Sequence, residues 1–182
     1  MNFIETYAGV RFEPLRPNFA NIQILDIAHA LSNQCRFSGH TRVHYSVAEH
    51  SVRVSRLLRE RGYRVPVQLW GLLHDASEAY LVDLATPIKH HKRFGAAYRK
   101  AEVNLMGAVC QRFGLASREP AAVCWADRKL LATEVRDLMP GRAEHWKKLR
   151  ARPLPERIIP WGCFLAKVEF LNTFTELTGV KT

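Results

Sequence analysis

The sequence has few cysteines, no long apolar run and comparatively little acid. Its four cysteines, Cys35, Cys110, Cys124 and Cys163, lie far apart and form no CxxC pair. This spacing argues against a zinc ribbon or disulfide framework and is typical of scattered buried thiols in a reducing compartment. No stretch approaches the roughly 18 apolar residues of a membrane span. The N-terminus, with Glu5 and no basic stretch, lacks a signal-peptide pattern, so we expect a cytoplasmic protein without a membrane partner.

The shortage of acid leaves the chain with a formal charge of +10, from 27 Lys and Arg against 17 Asp and Glu. An excess of this size attracts anionic partners, which include nucleotides, nucleic acids and anionic surfaces. The basic residues are spread along the chain, with local clusters at 53–64, 89–93 and 147–152. We interpret such clusters as solvated faces rather than as binding sites.

Length and apolar periodicity predict one all-α domain over residues 1–182. The start of the chain alternates apolar and polar residues about a turn at Ala8-Gly9, which predicts a small β-hairpin that needs a helix to lie against. Five to seven helices are expected to follow. The predicted segments are a hairpin at 1–14, helices at 24–31, 46–58, 66–80, 94–113, 117–138 and 161–177, and a proline-rich loop at 152–160.

The residues that carry chemistry are concentrated in the strongest of these predicted helices. His74 and Glu78 are four residues apart and share a helix face, with Asp75 beside them. Burying these groups among apolar neighbours costs several kcal/mol unless a partner such as a cation compensates them. His50 and Asp127, in other helices, also lie among apolar residues. Two imidazoles and two carboxylates suit a first-row divalent ion and leave positions open for water and substrate.

Taken singly, each of these residues has a plainer interpretation. His50 could be a core histidine bonded to a carbonyl, Asp127 a surface acid, and His74-Asp75 a chance pair. Taken together, their order resembles that of the HD-domain phosphohydrolase superfamily, which carries a His, a His-Asp pair and a distant Asp on separate helices. The resemblance implies one divalent metal ion, whether Co, Mn, Zn, Mg, Ni or Fe, bound by His50, His74, Asp75 and Asp127.

Within that superfamily, the sequence looks most like the small deoxyribonucleoside 5'-nucleotidases and the phage dATP triphosphohydrolases. The segment 74–89, HDASEAYLVDLATPIK, carries this likeness, which covers about residues 24–137. It implies that Glu78 and Asp83 position the attacking water and transfer protons.

The same resemblance implies a substrate site around Arg36-Phe37, which stands 14 residues before His50 where such enzymes carry an arginine and an aromatic residue. Arg36 and Lys89 would neutralise phosphate oxygens, and Phe37 would form a wall beside the nucleoside. His40 lies near the predicted site and is a candidate substrate contact. His44 is equally balanced between substrate contact and a structural role.

Several relatives of this superfamily fit less well. Guanosine tetraphosphate hydrolases place an Asp after the Glu, where this chain has Ala79. Two-metal phosphodiesterases need two further spaced histidines, whereas His90 and His91 are adjacent. The large tetrameric dNTP triphosphohydrolases are several hundred residues long. The remaining histidine of note, His29, and the four tryptophans are expected to be structural.

The function expected from the resemblance is metal-dependent hydrolysis of a deoxynucleotide. The positive charge favours a dNTP triphosphohydrolase that releases nucleoside and triphosphate by water attack at the α phosphorus, and the alternative is a 5'-monophosphate phosphatase. A second alternative is a basic HD domain that binds nucleic acid or acts as a nuclease. Because no nucleic-acid recognition motif is present, nucleic acid is not the expected partner. A homo-oligomer is compatible with the sequence.

Overall fold

Helices make up most of the chain, as the sequence predicts, and a two-stranded hairpin precedes them. The computed structural model describes residues 2–141 and 143–181. The strands are β1 (Ile4–Glu5) and β2 (Arg11–Phe12). The helices are α1 (Ile24–Asn33), α2 (Val47–Glu60), α3 (Val65–Leu73), α4 (Glu78–Leu81), α5 (Thr86–Lys89), α6 (Phe94–Phe113), α7 (Ala121–Leu138) and α8 (Cys163–Thr178). Shorter 3₁₀ segments lie at Phe19–Asn21, Arg36–Gly39 and Ala143–Leu149.

The N-terminal hairpin is held against the helices. β1 and β2 pair antiparallel, with Ile4 opposite Phe12. The backbone N–H of Ala8, in the turn, donates to Asp26 Oδ1 of α1 at 2.7 Å. Phe12 is buried and stacks on Tyr80, with ring centroids 4.3 Å apart. The prediction that this hairpin lies against a helix is confirmed.

Local capping and proline explain several of the observed helix ends. Ser46 caps α2 because its hydroxyl accepts from the Glu49 N–H at 3.1 Å. α6 ends at a left-handed Gly114, with a φ of 65°, as predicted. α7 begins after Pro120, four residues later than the predicted start at 117, and ends before Pro140. Residues 152–160 form neither helix nor strand, which agrees with the predicted loop.

The predicted helix over 66–80 is interrupted, and this prediction was wrong. α3 ends at Leu73, and α4 begins at Glu78. Between them the backbone bonds join residues three apart, from the Ala76 N–H to Leu73 O and from the Glu78 N–H to Asp75 O, both at 3.0 Å. His74 and Glu78 are therefore not on one face of a continuous α-helix. The tighter turns bring His74 and Asp75 together onto the same polar cluster.

α2 is the central helix and packs against α1, α3, α7 and α8. Its closest approach is to α3 at Gly71, where an added Cβ would lie 2.5 Å from Leu58 Cδ1. This contact places His50, in the first turn of α2, beside the end of α3. None of the helices in the described ranges is long and apolar enough to cross a membrane.

Candidate functional site

Two histidines and an aspartate meet where α2 faces the end of α3. His50 is fully buried in α2, His74 follows the last residue of α3, and Asp75 lies in the turn beyond it. One ligand atom from each lies within 4.8 Å of the other two. His74 Nε2 is 3.3 Å from His50 Nε2 and 3.2 Å from Asp75 Oδ2. This cluster could bind a metal ion.

Both imidazoles are oriented by acceptors at their Nδ1 atoms. His50 Nδ1 lies 2.5 Å from a carboxylate oxygen of Glu134, and His74 Nδ1 lies 2.9 Å from the carbonyl oxygen of Gly71. An acceptor at Nδ1 places a proton there and leaves Nε2 directed at the cluster. Histidines that ligate metals are typically held in this way. The arrangement therefore fits the donor set that a metal site requires.

Asp127 approaches the same cluster from α7. Its Oδ1 lies 3.2 Å from His50 Nε2, and the His50 hydrogen bond lowers the pKa of Asp127 although burial opposes this shift. The four predicted metal ligands thus come from α2, from the end of α3 with its turn, and from α7. Their roles as ligands stay predictions.

Glu134 belongs to this site and was missed by the sequence analysis. It is fully buried and accepts hydrogen bonds from Tyr45 Oη at 3.0 Å and Arg36 Nε at 3.2 Å, besides its contact with His50. Arg36 and His50 lower its pKa against the effect of burial. The signal that could have found it is spacing, because Glu134 lies seven residues after Asp127, two turns along the same helix face.

Arg36 contacts the site's own carboxylates. Its Nη1 lies 3.4 Å from Asp75 Oδ2, and its Nε donates to Glu134. Against the effect of burial, His74, His50 and Arg36 hold the pKa of Asp75 well below its ordinary value. Burial also disfavours the charged form of His74, yet Asp75 raises its pKa to about 9. Positive charge is therefore concentrated around Asp75.

A cavity of about 760 Å³ opens beside the cluster and brings together the other predicted residues. Its lining includes the cluster carboxylates Asp75 and Asp127 and the groups expected from sequence to contact substrate or water. The latter are Arg36, Phe37, His40, Glu78, Asp83 and Lys89. His50 and His74 do not line this cavity; His74 instead lines an adjoining cavity of about 440 Å³.

Two aromatic residues form one wall of the larger cavity. Phe37 and Trp146 meet edge to face, with ring centroids 5.9 Å apart. Phe37 and Ser38 both have left-handed backbones, with φ values of 54° and 51°, which are uncommon for residues other than glycine. Trp146 was expected to pack in the core, and its position in this wall corrects that expectation. It lies in a 3₁₀ segment that apolar periodicity did not predict.

Glu78 is the first residue of α4, and Asp83 lies two residues after its end. The pKa values of these two acids shift in the opposite direction from those of Asp75 and Asp127. Burial, together with the charges of Asp75 and Asp83, raises the pKa of Glu78. Burial also raises the pKa of Asp83. Glu78 Oε2 is buried and has no hydrogen-bond partner within the ranges that the structure describes. Uncompensated acids of this kind are suited to carrying protons.

Gln34 fixes the backbone that carries these two acids, although nothing in the sequence marks it. Its Nε2 donates to the carbonyl oxygen of Glu78 at 2.9 Å, and its Oε1 accepts from the Asp83 N–H at 3.2 Å. Val82, just before Asp83, has a φ of 72°, which is rare for a β-branched residue. Backbone strain of this kind persists only where the surroundings hold it.

The remaining predicted contacts lie at the edges of the site. The Lys89 ammonium pairs with Glu102 of α6 and lines both cavities. His40 is exposed and closes the 3₁₀ turn that holds Phe37. His44 does not line the described cavities; its ring nitrogens lie 3.0 Å from Cys35 Sγ and 3.3 Å from Cys163 Sγ. Cys35 and Cys163 are half-buried, and so is Cys124, whereas Cys110 is buried as predicted.

The comparisons with known proteins place the chain in a family. No protein-family model matches it. It is 34% identical to the uncharacterized protein YfdR of Escherichia coli K12 over 183 residues, which covers 100% of the chain and 98% of YfdR. It is also 39% identical over 120 residues to the uncharacterized protein RCAP_rcc00048 of Rhodobacter capsulatus, which covers 64% of the chain and 60% of that protein. The chain belongs to the family that includes YfdR.

Proposed function

We propose that the chain is an HD-domain phosphohydrolase that uses one divalent metal ion to hydrolyse deoxynucleotides. The observation that carries this proposal is the orientation of the two histidines. Each commits Nδ1 to an acceptor and directs Nε2 at the same point, where carboxylates of Asp75 and Asp127 also arrive. His50, His74, Asp75 and Asp127 would hold the ion, with Glu134 and the Gly71 carbonyl supporting the imidazoles.

A bound divalent ion supplies two things to phosphate ester hydrolysis, polarisation of the phosphoryl group and a lower pKa of coordinated water. The chain's own residues supply the proton transfers. Glu78, in its ionised form, takes a proton from the attacking water through its unpartnered Oε2 as the new P–O bond forms. The bond between phosphorus and the sugar O5' breaks, and Asp83, in its protonated form, returns a proton to that oxygen. A proton passed from Glu78 to Asp83 then restores both groups for the next turnover.

The larger cavity provides the substrate contacts in this proposal. Phe37 and Trp146 offer an aromatic wall for the nucleoside. Arg36 lines this cavity beside Asp75, where its guanidinium can neutralise a phosphate oxygen. Lys89 adds a second cation at the junction of the two cavities.

Two substrates that differ in the length of the phosphate chain are compatible with this proposal, a deoxynucleoside triphosphate and a deoxynucleoside monophosphate. The charge of +10 favours a deoxynucleoside triphosphate, released as nucleoside and triphosphate. A monophosphate is favoured by a different observation: Arg36 and Lys89, the strong cations lining the larger cavity, are already paired with carboxylates. Both reactions break the same bond at the α phosphorus.

The test is to incubate the purified protein with Mn²⁺ or Co²⁺ and a panel of dNMPs and dNTPs, and to identify the products by chromatography. Release of inorganic triphosphate identifies the first substrate, and release of phosphate from dNMPs identifies the second. EDTA should abolish either activity. A folded, metal-loaded protein that hydrolyses no deoxynucleotide would overturn the proposal.

A further inference from the structure

A basic cleft of about 1050 Å³ lies along the first two turns of α7, separate from the 760 Å³ cavity beside the cluster. One wall is the helix and the residues before it, and the other is the loop after the 3₁₀ segment Ala143–Leu149. The side chains that define it are five cations and one aromatic residue, namely Arg118, Arg128, Lys129, Arg150, Arg152 and Trp125. We call this surface the arginine cleft.

The four arginines of the arginine cleft are gathered on one concave surface without compensating partners in the described ranges. Among the residues that the structure describes, none of their guanidinium groups makes an ion pair or hydrogen bond, and Glu119 is the one acid lining the cleft. Several arginines elsewhere do pair with carboxylates, as Arg53 does with Glu49 and Arg56 with Glu169. Like charges gathered in a concave surface focus the field and favour an extended anion.

The arginine cleft also contains an aromatic side chain. Trp125 is half-buried and supplies an aromatic surface, with the Arg61 guanidinium 5.3 Å from its ring centroid. The two walls are tied together because Lys129 Nζ donates to the carbonyl oxygen of Arg152 at 3.1 Å. A basic groove with an aromatic residue is the usual composition of sites for unpaired nucleic-acid strands, where phosphates meet cations and bases stack on rings.

We propose that the arginine cleft binds single-stranded nucleic acid. The cleft's volume of about 1050 Å³ is far larger than one phosphate group and can hold a short run of nucleotides. It also adjoins the 440 Å³ cavity, with which it shares Glu119, Cys124 and Arg128, and that cavity is lined by His74, Asp75 and Asp127. A strand in the cleft would thus lie next to the candidate metal centre. Strand binding itself requires no metal and does not depend on the proposed hydrolysis.

From sequence, nucleic acid was only an alternative partner and not the expected one, because the cleft is assembled from two separate segments. The α7 face contributes residues 118–129, and the opposite wall comes from residues 150–152. Neither segment is a nucleic-acid recognition motif. The basic run at 147–152, interpreted from sequence as a solvated face, contributes arginines to a concave surface.

The test is a titration of a short fluorescent oligo-dT with the full-length protein in EDTA, followed by anisotropy over a range of salt concentrations. EDTA keeps this measurement separate from any hydrolysis. We expect tight binding at low salt and a linear fall of log K with log salt. The double variant Arg150→Ala/Arg152→Ala should reduce that slope by about 1.4, because each phosphate of a single strand that is no longer neutralised lowers it by about 0.7. Both arginines are exposed, so the fold should be retained.

Two further variants make the test specific. Arg11→Ala/Arg16→Ala removes the same charge outside the cleft and should leave the slope unchanged. Trp125→Leu should weaken binding about fivefold or more without changing the slope, since it removes stacking but no charge.

Three results would overturn the proposal. The first is an equal loss in the two double arginine variants, which would indicate attraction by net charge alone. The second is duplex DNA that binds as tightly as the single strand. The third is binding of inorganic triphosphate or dATP, sensitive to Arg150 and Arg152, without binding of the oligonucleotide, which would make the cleft a nucleotide phosphate site.

Discussion

The candidate site contains two groups of carboxylates that the fold treats in opposite ways. Asp75, Asp127 and Glu134 are tied to Arg36 and the histidines, and these cations lower their pKa values against the effect of burial. Glu78 and Asp83 follow shortly after Asp75 in the chain, and burial raises their pKa values. Asp75 and Asp127 line the same cavity as Glu78 and Asp83.

The difference indicates a division of labour. On the proposed function, the carboxylates with lowered pKa values bind the cation beside the oriented imidazoles, and those with raised pKa values exchange protons during the reaction. We call these two sets the cation-binding group and the proton-carrying group. The two groups also differ in what holds them. Side-chain ion pairs orient the first group, while the second is positioned through its backbone by Gln34.

The largest effect is expected from removing a residue of the cation-binding group. His74→Ala or Asp75→Ala should remove the bound metal and essentially all hydrolytic activity, because each loses a ligand and leaves its buried neighbours uncompensated. Elemental analysis of the purified variants measures the metal directly. His29→Ala is the matched control, since His29 stacks on Tyr7 away from the cluster. Stoichiometric metal in either variant would contradict the ligand assignment.

The proton-carrying group is tested by Glu78→Gln. This variant should keep its metal but lower kcat by about 10² to 10⁴, the usual contribution of a positioned acid or base. Glu60→Gln, on the exposed end of α2, is the control for the loss of one carboxylate. A normal kcat would mean that Asp83, and not Glu78, carries the proton. Loss of metal would mean that Glu78 belongs to the cation-binding group.

Arg36→Lys tests the link between the cation-binding group and the phosphate. Arg36 contacts Glu134 and Asp75 through different nitrogens, and a single ammonium cannot keep both contacts in the same geometry. We expect kcat/KM to fall about tenfold or more for every nucleotide, because charge-assisted hydrogen bonds are worth roughly 1.5–3 kcal/mol each. Steady-state kinetics on several bases measures this. Arg59→Lys, an exposed pair with Glu176, should change nothing. An altered base preference would instead assign Arg36 to the base.

Much of the fold could be predicted because apolar periodicity and capping residues are local signals. Gly114 and Pro140 mark the ends of α6 and α7, and the structure follows them. The break between α3 and α4 could not be read in this way. The apolar spacing continues through it, from Leu73 to Ala76 and Tyr80, while the backbone bonds tighten. These tighter turns interrupt the helix, and they place both His74 and Asp75 in the cluster.

The candidate metal ligands were accessible from sequence because they lie in a recognisable order with fixed residue types. Glu134, Trp146 and Gln34 were not, because their contribution depends on tertiary contacts with residues far away in the chain. Glu134 meets His50 across 84 positions, and Gln34 meets Glu78 across 44. Such supporting residues carry no local pattern except, for Glu134, its spacing from Asp127.

The smallest of the expected effects concerns Gln34, which holds the proton-carrying group. Gln34→Leu removes the hydrogen bonds to the Glu78 carbonyl and the Asp83 N–H, so it should destabilise the protein by about 1–3 kcal/mol. It should also lower kcat about tenfold, since a misplacement of about 1 Å can cost up to 10²-fold, while KM and metal content stay unchanged.

The matched control separates positioning from stability. Gln68 is buried, and its Nε2 donates to the Tyr63 carbonyl away from the site. Gln68→Leu should therefore show a similar loss in urea denaturation with an unchanged kcat. If both variants lose stability and neither loses kcat, backbone positioning of Glu78 and Asp83 does not matter to the reaction. The contrast between the two carboxylate groups would then reduce to their electrostatics alone.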